Sequence, residues 1–240
     1  MPHSSPSSPG RPPITPAPAA LQPQIIARTD RWLVVNKPAG WLTIPPSRPS
    51  ADSSKAPEPI LSSWALEDER AHGGSKVWVV HRIDRETSGV VLFARTAEAH
   101  REANGWFENH KVRKAYDCLA VGEASMPVLT IRKPIEGAPS ITQVEVVDAW
   151  REGFLARVAP RSGRRHQIRI HLAGEGHPLW GDTRYGGPRA VRVGGQDLAV
   201  GRVALHAARL ELPSGESFIA PWPADFQAWV DRLGEVGTHV

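Results

Sequence analysis

Nine consecutive residues, His81-Arg82-Ile83-Asp84-Arg85-Glu86-Thr87-Ser88-Gly89, carry five ionisable side chains and end in a turn-forming Thr-Ser-Gly. They lie between two apolar runs, Val77 to Val80 and Val90 to Ala94, which read as buried strands joined by a polar connection. Asp84 has arginines on both sides in sequence and a core close by. A guanidinium beside such a carboxylate opposes the desolvation that would protonate it. An aspartate of this kind is available as nucleophile or base. A solvent-facing loop would explain the same composition more cheaply, so the weight rests on what else the chain brings.

A second cluster, Arg161 to His171, holds four arginines and two histidines in eleven residues. If Arg165 to Leu172 is helical, Arg165 and Arg169 share one face while Ile168 and Leu172 share another. A basic run is commonly a solvated face. The functional reading is phosphate capture together with one buried arginine paired to a carboxylate. A metal is the third option, but His166 and His171 are five apart and no HExxH spacing is present. A third segment, Gly174 to Gly187, is glycine-rich and turns sharply. Its Asp182 is either a rival catalytic carboxylate or a turn-binding group. The fourth, Lys111 to Tyr116, runs a basic triplet into a strand. Alternation there puts Tyr116, Cys118 and Ala120 on one face. Tyr116 is either core or a flat surface on which a base stacks, an interaction worth about 1–3 kcal/mol.

These segments need strands and helices to hold them. Ile25-Ile26 and Trp32 to Val35 predict two strands across a tight turn. A loop over 45–59 leads to a short helix from Ile60 to Glu69. Ala99, Ala103, Trp106 and Phe107 predict an amphipathic helix over 97–110. Tyr116 to Val121, Gln143 to Val147 and Phe154 to Val158 read as further strands. Val203 to Leu212 and Ser217 to Ile219 suggest a hairpin, and a last helix spans Ala224 to Leu233. Many strands, few helices and no regular βα alternation argue for an α+β fold. Residues 1–23, rich in proline and serine, read as a disordered tail, and 24–235 as one globular domain.

The bulk properties exclude several classes. The single cysteine, Cys118, rules out an internal disulfide and a multi-cysteine zinc site. No apolar run approaches the roughly 20 residues of a membrane span, and no secretory leader is visible. A cytoplasmic monomer without an obligate protein partner is the expectation. The net charge of +4 has the sign that suits a polyanion.

Taken as a set, the segments resemble the RluA family of RNA pseudouridine synthases. Residues 81–89 resemble its HRLDxxTSG motif, with Ile83 for leucine, and residues 163–171 its GRxHQIRxH motif. Residues 176–186 resemble GxPIxGDxxYG, and Asn36-Lys37-Pro38-Ala39-Gly40 the early NKPxG. Lys114-Ala115-Tyr116 resembles KxY, and Ala204-Leu205-His206-Ala207 the late ALHA. The order is the family's, over roughly residues 25 to 230. The resemblance implies a mixed, largely antiparallel sheet with flanking helices and a cleft across it. It implies Asp84 as the catalytic carboxylate, Arg169 as its partner, and Tyr116 under the target base. It implies Arg82 in RNA contact and nucleotide flipping. Arg85, Arg113, Lys114, Arg164, Arg165 and His166 join it as candidate RNA-binding residues. No cofactor and no metal is expected, because the reaction is an isomerisation. The expected partner is structured ribosomal or transfer RNA, recognised without the S4 domain that many relatives carry. Two rivals remain: a non-catalytic RNA-binding module of the same fold, and a metal-dependent hydrolase using Asp84, Asp182 and nearby histidines.

Overall fold

Trp32-Leu33-Val34-Val35 is fully buried on both faces, and this one run explains half of the architecture. Trp32 and Val34 pack in the cluster that contains Ala99, Ala103 and Phe107. Leu33 and Val35 pack with Leu61 and Ala65. A strand covered on both sides must lie inside a sheet with helices above and below. The computed structural model describes residues 21–47, 58–124, 126–237 and 239. The expected tail over 1–23 lies almost wholly outside the described residues.

Strands β1 (Gln24–Arg28) and β2 (Trp32–Lys37) form the first hairpin, followed by helix α1 (Leu61–Ala71). Strand β3 (Trp78–Val79), strand β4 (Ser88–Ala94) and helix α2 (Ala97–Glu108) come next. Strands β5 (Arg113–Val121), β6 (Val128–Ile131), β7 (Thr142–Trp150) and β8 (Gly153–Pro160) precede helix α3 (Gln167–Gly174). A small hairpin of β9 (Ala190–Val193) and β10 (Gln196–Ala199) stands apart. Strands β11 (Leu205–Glu211) and β12 (Ser217–Ile219) lead to helix α4 (Ala224–Val236).

The main sheet has ten strands, in the order β1-β2-β4-β11-β5-β8-β7-β6, with β12 on β11 and β3 on β4. The pairing of β4 with β11 is parallel, and the other pairings are antiparallel. The fold is therefore α+β on a mixed sheet. The α1 cluster and the α3 cluster both reach Tyr116, so these helices share a face and Tyr116 lies between them. By alternation, α2 and α4 cover the opposite face. No helix among the described residues is long and apolar enough to cross a membrane.

The parallel seam fixes a glycine. Gly89 has φ +115, and a Cβ there would stand 2.2 Å from the carbonyl oxygen of Ala207 on β11. Beside it Ser88 Oγ meets His206 Nδ1 at 2.9 Å, while His206 Nε2 binds the Ala220 carbonyl at 3.1 Å. Burial lowers the pKa of His206, in keeping with a neutral ring that bridges two segments.

Several expectations are corrected. The run Val77 to Val80 contributes only Trp78–Val79 as strand, half-buried rather than buried. It pairs with the far end of β4, where β11 no longer lies alongside. The helix expected from Arg165 begins at Gln167 instead. His166 takes a left-handed φ of +55 as the residue before it, so Arg165 lies outside the helix and the expected Arg165–Arg169 face does not form.

Candidate active site

Asp84 sits on the loop between β3 and β4, and its backbone is held from below. Thr43 Oγ1 donates to the Ile83 carbonyl at 2.9 Å, just before Asp84. Just after it, the Arg85 carbonyl accepts from Lys37 Nζ at 3.0 Å and from the Gly40 amide at 2.9 Å. Thr87 N donates to the Asp84 carbonyl and closes the turn. Lys37 is fully buried and also donates to the carbonyls of Pro38 and Trp41. Burial, then the charge of Arg202, lowers its pKa to about 7. Three carbonyl acceptors around one ammonium is the geometry of a strut, and it locks the loop that presents the carboxylate. His81, at the head of the loop, is equally structural. Its Nε2 accepts the Leu92 amide at 3.0 Å, and its ring stacks on Phe107 at 4.9 Å. Burial pushes its pKa down to about 3.

Helix α3 delivers the partner. The hydrogen bonds of Gln167 and His171 are spent on fixing the helix. Gln167 bonds the Ile141 carbonyl, Thr142 and Ser162. His171 bonds Thr142 and the Lys133 carbonyl. Ile168 and Leu172 enter the core. Arg169 remains, 8% exposed, with Nη1 3.5 Å from Asp84 Oδ2. Its stronger partner is Asp182. Arg169 Nε and Nη2 reach the two Asp182 oxygens at 2.6 and 2.7 Å. Burial opposes the charge on Arg169, but the hydrogen bond and charge of Asp182, with the charge of Asp84, leave its pKa raised. Asp182 is thus neither a free carboxylate nor only a turn cap: both its oxygens are occupied by a guanidinium whose remaining nitrogen faces Asp84.

Above these residues opens a cleft of about 1030 Å³. Asp84, Tyr116, His166 and Arg169 line it together, and Arg82, Lys114, Arg164 and Arg165 bring positive charge to it. Tyr116 is held as the neutral phenol, because burial and then the charge of Asp84 push its pKa up. Lys114 donates to the Ser162 carbonyl at 2.9 Å, and burial lowers its pKa to about 8.

A family model described as RNA pseudouridylate synthase matches residues 31–174. The chain belongs to this family. It is an isomerase acting on uridine in RNA. It is 32% identical to the tRNA pseudouridine synthase C of Salmonella typhimurium, over 87% of this chain and 88% of that one. It is 31% identical to the ribosomal large subunit pseudouridine synthase C of Vibrio parahaemolyticus, over 84% of this chain and 65% of that one. The fold is also that of the human RNA pseudouridylate synthase domain containing 4, with a TM-score of 0.68 at 21% identity, over 88% of this chain and 92% of that one.

Within this synthase the expected site residues divide. Asp84, Tyr116 and Arg169 converge, as do Arg82, Lys114, Arg164, Arg165 and His166 at the cleft. Arg85 instead pairs with Glu58 at 2.9 Å and donates to the Gly40 carbonyl. Arg113 has an 83% exposed side chain, 4.0 Å from Glu211, away from the cleft lining. Sequence reasoning left Lys37 and Thr43 without a role, and missed Asp182 as the anchor of Arg169. It also passed over Tyr185. The NKPxG and GDxxYG resemblances pointed at three of these four, but not at what they touch.

Proposed function

We propose that the chain converts uridine to pseudouridine at specific positions in ribosomal or transfer RNA, with Asp84 as the reacting carboxylate. The observation that carries this is Asp84 facing Arg169 across a cation-lined cleft with Tyr116 beside it. In a paired or stacked RNA the base is out of reach, so the nucleotide is extruded at a cost of a few kcal/mol. Arg82, Lys114, Arg164 and Arg165 hold the flanking phosphates, and Tyr116 receives the uracil face. The N1–C1′ bond breaks, the uracil turns, and C5 joins C1′; the C5 proton is then lost and the freed N1 takes one up, so the product is an isomer of the substrate. The first step is either attack by Asp84 or removal of a C2′ proton by it. No group donor or redox partner enters this balance. Residues 24–235 form the catalytic domain, acting as a monomer in the cytoplasm. The relatives' names divide between transfer and ribosomal RNA at nearly equal identity, which is why both classes are kept.

The test uses RNA carrying C5-tritiated uridine. Asp84→Asn abolishes tritium release and keeps RNA affinity within about threefold, because the exchange removes one carboxylate charge at the reacting centre and touches no phosphate contact. A wild-type protein that binds such RNA and releases no tritium would instead be a binding module. Mapping pseudouridines across the transcriptome of a deletion strain and its parent identifies the RNA class.

A further inference from the structure

One turn does two jobs beside Arg169. The Asp182 carbonyl accepts the amides of Tyr185 at 3.1 Å and Gly187 at 2.8 Å. A Cβ on Gly187 would stand 1.9 Å from the Leu179 carbonyl oxygen, so the turn closes only with glycine there. The same turn that offers the Asp182 carboxylate to Arg169 therefore offers the Tyr185 hydroxyl to the cleft side. That hydroxyl lies 2.9 Å from His166 Nδ1. The other ring nitrogen, Nε2, lies 3.7 Å from Asp84 Oδ1, and His166 is only 9% exposed by side chain. Arg169 meanwhile approaches Oδ2 of the same carboxylate.

The tautomer follows from charge. Were Nδ1 protonated in a neutral ring, the bare lone pair of Nε2 would face a carboxylate oxygen, which is repulsive. With Nε2 protonated, the hydroxyl of Tyr185 donates to Nδ1 and the imidazole N–H faces Asp84. Arg169 and Arg184 stand over the Tyr185 ring at 5.2 and 5.7 Å and draw electron density from it, which makes the hydroxyl the better donor. A second proton on His166 would meet Arg169, Arg165 and Arg184 at close range, and burial with these charges lowers its pKa although Asp84 opposes them. The left-handed backbone of His166, uncommon outside glycine, is what turns the ring toward Asp84 ahead of α3.

We infer that His166 is a positioning residue for Asp84, held by Tyr185 as the neutral Nε2–H tautomer so that each carboxylate oxygen faces its own donor. The inference rests on Asp84 being the reacting group. The separation of 3.7 Å is too long for a direct hydrogen bond. The contact closes, or takes up one bridging water, when the base enters. Its effect is to fix the carboxylate plane against the sugar, a matter of orientation.

The experiment measures kcat, KM and their pH profiles by tritium release for the full chain and three variants. Tyr185→Phe removes the tautomer lock and lowers kcat about tenfold, the worth of one hydrogen bond, with KM within about twofold. Its acid limb moves to higher pH, because the unguarded Nδ1 now takes a proton. His166→Gln keeps an N–H donor at the Nε2 position and restores at least part of what His166→Leu loses. It also lacks any limb due to the imidazole. If His166 merely grips RNA, His166→Leu raises KM and leaves kcat, and Tyr185→Phe changes neither kcat nor the acid limb; that pattern overturns the inference. Asp84→Asn runs alongside. An active Asp84→Asn overturns the assignment of Asp84 itself, a different failure from a wild-type-like Tyr185→Phe.

Discussion

Arg169 stands between two carboxylates and binds only one of them closely. Its bidentate pair with the fully buried Asp182 fixes the guanidinium plane, and Asp84 receives what remains, a single nitrogen at 3.5 Å. The division makes chemical sense. A carboxylate locked by two short charge-assisted bonds is a poor nucleophile, whereas one approached loosely retains its reactivity. Asp182→Asn tests this arrangement. It replaces one acceptor with an amide that repels the guanidinium and leaves a buried charge half-paired, a change that costs about 3–5 kcal/mol. The urea midpoint should fall accordingly and kcat with it, and an unchanged midpoint would refute the anchor. Nothing in the linear order of residues announces this pair. Asp182 looked like a rival to Asp84 or a turn-former because a carboxylate thirteen residues from its arginine carries no periodic signal. Asp84 stood out as a candidate because its loop packs five ionisable groups between two apolar runs, and the family resemblance gave it a role.

At the scale of elements, the strands and helices that bury apolar faces were readable and the marginal ones were not. Strand β2 and the face of α2 follow from side-chain spacing alone. The edge strand β6, with Val128 59% exposed, offers little pattern. The β9–β10 hairpin did leave a signal, Gly194-Gly195 between two short alternating runs, which went unread. The start of α3 was misjudged because a left-handed histidine has no sequence signature. The loop between β3 and β4 carries its own prediction. His81 accepts the Leu92 amide and so must stay neutral in the fold, down to about pH 3, whereas the unfolded ring takes a proton near pH 6.5. The folded pKa lies below the unfolded one, so the contribution is whole above pH 6.5 and is lost as pH falls toward 3. Unfolding free energies from pH 7 to pH 4 should drop with a slope that includes one proton from His81, roughly 1.4 kcal/mol per pH unit at its steepest. His81→Gln, whose side-chain oxygen accepts the same amide, should flatten the slope by that proton. An equal slope in both proteins would refute it.

For the whole molecule, a net charge of +4 says little until the positions of the cations are known. Four of them, Arg82, Lys114, Arg164 and Arg165, converge on the cleft, while Arg85 is paired to Glu58 and Arg113 stands outside the lining. All six were RNA-binding candidates from sequence, since proximity along the chain cannot tell which side of a sheet edge a basic side chain leaves from. Affinity for RNA makes the distinction measurable. Each phosphate neutralised releases counterions, so the logarithm of the binding constant falls with the logarithm of salt by about 0.7–0.9 per contact. Arg164→Gln should reduce that slope by about one contact's worth and weaken binding alike for cognate and unrelated RNA. Arg113→Gln should leave the slope as it was, because its charge faces solvent beside Glu211. If the two substitutions change the slope equally, the phosphate path runs beyond the cleft and over the outer end of β5, and the RNA is bound by a wider surface than the four converging cations define.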